Sequence, residues 1–122
     1  MFTASYTAPA EADISTVRVI NMKSPSTGKP VSNQFVVESD RYSFYQSYKS
    51  LIGVYDKKKR RITLGTKWDY SHTTLKYLHK WLESDAFNAW AYIRDEYAGR
   101  TLSETIRKAI DAGAIFYDYG ME

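Results

Sequence analysis

The chain has 122 residues, 43% hydrophobic and 25% charged, with a formal net charge of +3, which leaves room for one ordinary globular core and no more. It contains no cysteine, so disulfides, thiolate metal sites and cysteine nucleophiles are excluded, and no apolar run approaches the roughly 18 residues that cross a bilayer. Charge is segregated: residues 41–80 carry ten basic and two acidic groups, while both flanking segments are net acidic, a distribution that suits an anionic partner.

Residues 1–13 read as a flexible arm rich in Ala, Thr and Ser, without the basic start and apolar stretch of a secretory signal. Residues 14–122 read as a single domain, with a sheet over 14–64 and helices over 69–112. Ile14, Val17, Val19 and Ile20 are β-branched and partly alternating, so a strand is expected over 14–20. Two prolines and a glycine make 21–31 a loop. Further strands follow at 35–38, 42–46, 51–55 and 60–64, joined by short polar turns. Short strands with short links favour an antiparallel meander.

After Gly65 the apolar period lengthens to about three and a half. Leu75, Leu78 and Leu82 form one stripe with Trp81 beside it, and Asp69 or Ser71 can cap the start. The opposite side carries His72, Lys76, His79 and Lys80. Ser84 is the expected cap of a second helix, with Phe87, Trp90, Ala91 and Tyr97 turned inward and Gly99 at its end. Thr101-Leu102-Ser103-Glu104 is a capping-box pattern that opens a third helix with Leu102, Ile106, Ala109 and Ile110 inward, ended by Gly113. Residues 114–117 read as a last strand or a docked tail. The expected fold class is α+β: an antiparallel β-meander of about five strands followed by three short α-helices.

Lys57-Lys58-Lys59-Arg60-Arg61 places five consecutive cations near a hairpin tip, each able to neutralise a phosphate and release a counterion. Nineteen aromatic residues, eleven of them tyrosines, exceed what a core of this size hides, and surface tyrosines suit a binding patch. Other constellations fail on spacing. Ser26-Thr27-Gly28-Lys29 lacks the leading glycine of a phosphate loop, and Pro30 stands where its magnesium-binding hydroxyl belongs. His72 and His79 are seven apart, too far for two zinc ligands on one helix turn. Asp40, Asp56, Lys57 and Lys58 only loosely mimic a metal-dependent nuclease, and no glycine-flanked serine nucleophile occurs. No enzyme, metal or cofactor is therefore expected.

Three segments occur in a familiar order: Asn33-Gln34-Phe35-Val36-Val37; Phe44-Tyr45-Gln46-Ser47-Tyr48 with Ser50 and Ile52; and Trp68-Asp69-Tyr70-Ser71-His72-Thr73-Thr74 with Lys76, Tyr77, Trp81 and Leu82. Over residues 33–82 this order resembles a family of small uncharacterised proteins of tailed bacteriophages and related mobile elements. The resemblance implies a viral protein of unknown function acting in the bacterial host cytoplasm.

Together these features lead to an expected non-catalytic phage accessory protein that binds nucleic acid, DNA or RNA. Lys57, Lys58, Lys59, Arg60, Arg61, Lys76 and Lys80 are the candidate phosphate contacts, and Tyr45, Tyr48 and Tyr55 the candidate stacking residues. The expectation depends on the cationic finger and the basic side of the first helix forming one surface. The alternatives are a protein-binding inhibitor of a host defence or transcription factor (an anti-defence role) and a minor virion protein, each compatible with a homodimer paired through a sheet edge.

Overall fold

The computed structural model describes residues 17–121; the expected arm over 1–13 and the start of the first expected strand lie outside them. Six strands form one sheet in the order of the chain: β1 (Arg18–Lys23), β2 (Pro30–Glu38), β3 (Tyr42–Ser47), β4 (Ser50–Asp56), β5 (Arg61–Gly65) and β6 (Phe116–Asp118). Helices α1 (His72–Ser84), α2 (Phe87–Glu96) and α3 (Leu102–Asp111) lie between β5 and β6 in sequence. The α+β class and the meander of β1 to β5 are as the sequence predicts. The sixth strand pairs parallel to β5, which the three helices make possible by supplying the long crossover that parallel neighbours need.

Register sorts the side chains. One cross-strand row runs Val36, Tyr45, Gly53, Leu64 and Tyr117, and the next runs Val37, Phe44, Val54, Thr63 and Phe116. The first row joins the main core, where Tyr77, Leu78, Trp81 and Leu82 of α1, Trp90 and Ile93 of α2, and Ile106 and Ala109 of α3 meet the sheet. Members of the second row, Val37, Phe44 and Val54, form a smaller cluster with Tyr42, Leu51 and Met121 on the opposite face. Burial on both faces explains why β3 and β4 carry almost no solvent-facing alternation. Between Tyr45 and Gln46 the pairing to β4 slips by one residue at Ile52, a bulge that lets consecutive Ile52 and Gly53 both face the α1 side, Ile52 in the main core and Gly53 against Trp81.

Gly53 lets α1 settle on the sheet: a Cβ there would stand 2.8 Å from a Trp81 ring carbon and 3.0 Å from Leu64 Cδ2. Trp81 is then fixed by a hydrogen bond from its Nε1 to Ser43 Oγ at 2.9 Å, and Ser43 Oγ donates to Asp85 Oδ2 at 3.1 Å.

Three local expectations change. Asn21 belongs to β1 rather than to a loop, because its Nδ2 donates to the Val31 and Gln34 carbonyls across the irregular β1–β2 pairing. Ser84 ends α1 and turns its Oγ back to the Lys80 carbonyl, so α2 begins after Ala86 without a side-chain cap. Phe87 is exposed rather than inward; Trp90 carries the α2 contact and donates from Nε1 to Glu83 Oε2 of α1 at 2.9 Å. Ser71 caps α1 and Thr101 caps α3, each accepting from the amide three residues on.

Candidate functional site

In a meander, alternate turns fall at the same end of the sheet. The β2–β3 and β4–β5 turns therefore share one end, and the β1–β2 and β3–β4 turns share the other. The candidate chemistry divides between these ends.

The five-cation finger is the β4–β5 turn. Asp56, at the end of β4, builds it by accepting from the Lys58 and Lys59 amides, both at 3.0 Å. Arg41 in the neighbouring turn donates Nη2 to Asp56 Oδ2 at 3.1 Å and Nε to Oδ1 at 3.3 Å. Burial alone raises the Asp56 carboxyl, but the Arg41 hydrogen bonds and the two amides outweigh it and hold the group below its ordinary value. Two of the five cations are committed to structure. Lys57 Nζ donates to the Ser39 carbonyl at 2.9 Å, and the Arg61 guanidinium lies 4.5 Å over the Phe116 ring. Lys58, Lys59 and Arg60 are exposed.

The other expected contacts lie elsewhere. Lys80 Nζ donates to the Lys23 carbonyl, at the end of β1 and so at the opposite end of the sheet. Lys76, one turn nearer the start of α1, sits 5.6 Å from the Tyr77 ring. The Lys80 ammonium is therefore turned toward the β1–β2 end and away from the finger. Tyr45 is 0% exposed and Tyr55 2%, so neither ring offers a face to a base. Burial also pushes the Tyr45 hydroxyl pKa up. Tyr48, at 51% exposure, is the one expected stacking residue that reaches the surface.

Around Tyr48 the structure places what the sequence reading did not single out as a site. A cleft of about 850 Å³ opens between the first half of β2, the β3–β4 turn, the loop after β5 and the start of α1. Asn33, Gln46, Tyr48, Lys49, Lys67, Tyr70, Ser71 and Thr74 are among its lining residues, drawn largely from the three segments that carry the family resemblance. Its floor is a buried polar chain. Tyr45 OH lies 2.5 Å from Gln34 Oε1 and 3.0 Å from the Thr74 carbonyl. Gln34 Nε2 donates to Ser47 Oγ at 3.0 Å, Ser47 Oγ meets Thr74 Oγ1 at 2.9 Å, and Ser71 Oγ donates to Thr74 Oγ1 at 3.1 Å. Gln34, Ser47 and Thr74 are each 2% exposed or less, so this chain substitutes for water throughout.

The rim is strained. Asn33 and Tyr48 adopt left-handed backbone angles, φ 64° and 55°, which a bulky side chain such as tyrosine rarely takes. The Tyr48 amide donates to the Asn33 carbonyl at 2.7 Å, and Gln46 Nε2 donates to the Tyr48 carbonyl at 2.8 Å. These bonds hold the Tyr48 ring out from the turn. Tyr70, 73% exposed, joins the lining from the loop before α1. Lys49 and Lys67 supply positive charge, and no carboxylate or histidine is among the described lining residues. The cleft therefore offers hydrogen bonds, cations and ring faces without an acid–base pair. Among the described residues no group of three or more His, Asp or Glu could hold a metal ion.

The signal for this cleft in the sequence is Tyr48-Lys49 as a two-residue link between strands, a place that ordinarily takes Gly, Asn or Asp. A family of unknown function (DUF8033) matches the chain over residues 18–99, about two thirds of its length, a span that includes every residue of both the finger and the cleft. No curated protein and no solved structure matches the chain.

Proposed function

We propose that this chain, which belongs to the DUF8033 family, is a non-catalytic nucleic-acid-binding protein whose contact surface is the cleft end rather than the finger. The observation that carries this reading is the meeting of Lys49, Lys67, Tyr48 and Tyr70 over a fully hydrogen-bonded floor. Cations beside exposed rings are what a phosphodiester chain with bases calls for. Lys80 and Lys76 make the same kinds of contact as Lys57 and Arg61, with a carbonyl and a ring, so Lys49 and Lys67 are the cations proposed to meet phosphate. The setting we propose is a bacteriophage or mobile-element protein at work in the bacterial cytoplasm.

The test is fluorescence anisotropy with labelled DNA and RNA oligonucleotides over a salt series. About two phosphate contacts give a log–log salt slope of roughly −1.4 on single strands. Lys49→Glu with Lys67→Glu should lower affinity at least 100-fold at low salt. Lys58→Glu with Lys59→Glu and Arg60→Glu should lower it no more than about threefold. The opposite ranking moves the site to the finger, and affinity indifferent to both sets overturns the reading.

A protein partner is the second reading, favoured by one observation. β1 pairs on one side with β2 and lies at the sheet edge, and Val17, Val19 and Ile20 on or beside it are exposed. An apolar edge strand is a template for another strand, either of an inhibited host protein or of a second copy.

A further inference from the structure

We infer that the cleft accepts unpaired nucleotides, so that the ligand class is single-stranded nucleic acid and not duplex; this rests on the binding reading above. The argument is about ring faces. In a duplex both faces of every base are covered by stacking, and only the base edges are open, through the grooves. A protein that reads duplex needs side chains able to enter a groove, and the cleft is instead a concavity with tyrosines on its rim. An exposed tyrosine ring gains from a base only by stacking on it, which requires the base to be unpaired.

Tyr48 and Tyr70 are the aromatic residues of the lining, both exposed, from the β3–β4 turn and the loop before α1. Tyr48 is held there against backbone preference by the bonds to Asn33 and Gln46. Such angles suit other residue types better, and the tyrosine puts a ring at the cleft rim in their place. Lys67 lies in the same lining, where it can meet a phosphate beside a stacked base. The volume of about 850 Å³ falls in the range of pockets that enclose small organic groups.

The experiment compares the full chain with a 12-nucleotide single strand, the same sequence as a duplex, and an abasic 12-mer of equal charge, all at one salt concentration. Single strand should bind at least tenfold more tightly than duplex or abasic strand. Tyr70→Ala and Tyr48→Ala should each reduce single-strand affinity about tenfold while leaving abasic binding within twofold. Thermal melting of both variants checks that they fold. Tight duplex binding, or an abasic strand that binds as well as the normal one, overturns this inference while leaving nucleic-acid binding intact. No binding to any of the three overturns both readings.

Discussion

The two ends of the sheet solve opposite problems. At the β4–β5 end, charge is dense and the architecture exists to manage it: Asp56 and Arg41 shape the turn, and Lys57 and Arg61 are spent on a carbonyl and a ring. At the β3–β4 end, charge is sparse, but a cavity, a polar floor and two left-handed residues coincide. A run of cations is therefore a poor guide to a binding site, because part of the run serves the fold. Strain does not separate the ends, since Arg60 in the finger turn also takes a left-handed angle, φ 52°; the buried polar chain beneath a cavity does.

The largest expected effect is on the finger end. Asp56→Ala removes the partner of Arg41, whose side chain is 14% exposed, together with the acceptor of two turn amides. Losing the carboxylate that pairs with a largely buried cation and anchors two turn amides should cost about 3 kcal/mol, measured by urea denaturation, with oligonucleotide affinity unchanged. The pH dependence has a fixed sign. Folding lowers the Asp56 pKa below its ordinary 3.8, so the ionised form favours the folded state. Its contribution is complete above about pH 3.8 and fades as pH falls through the lower folded value. The alanine variant should therefore lose less stability than the parent between neutral pH and acid. If both fall equally, the Arg41 pair does not support this turn.

At the cleft end the corresponding change is Gln34→Leu. Leucine fills similar volume but leaves the Tyr45 hydroxyl and Ser47 Oγ each short of one partner in the buried chain. Orphaning buried polar groups costs about 1–3 kcal/mol, and about 2 kcal/mol is expected here. Unlike Asp56→Ala, it should also weaken single-strand binding severalfold, because Ser47 and Thr74 beneath the cleft lose their fixed orientation. A stability loss without any change in binding would detach the polar floor from function.

Strands β2 to β5 and the three helices were legible because each rests on a local pattern: alternation broken by polar turns, a Leu stripe, the Thr101 cap, the positive φ at Gly113. β6 was less so, since three residues are too few to show a period and its partner β5 lies some fifty residues away. The core tyrosines show the limit for the site. Tyr45 and Tyr48 are three apart in one segment, yet one is sealed under Trp81 and the other stands in solvent. The difference is made by where β3 ends and by the positive φ at Tyr48, and neither is set by residue type. The cleft was invisible for the same reason: its residues come from three separate stretches, and Tyr48 in a two-residue turn is the departure from local preference among them.

That departure gives the smallest but most discriminating test. Asparagine tolerates left-handed backbone angles better than tyrosine, because its short polar side chain bonds locally. Tyr48→Asn should therefore stabilise the fold by about 0.5 kcal/mol, set against the modest apolar contact of a half-exposed ring, and raise the melting temperature by roughly 2–4 °C for a domain of this size. The same variant should lose about tenfold in single-strand affinity. A gain in stability paired with a loss in binding is the signature of strain kept for function. A variant that binds normally would show that the ring is incidental at this end, and the contrast with the finger would then rest on the lysines alone.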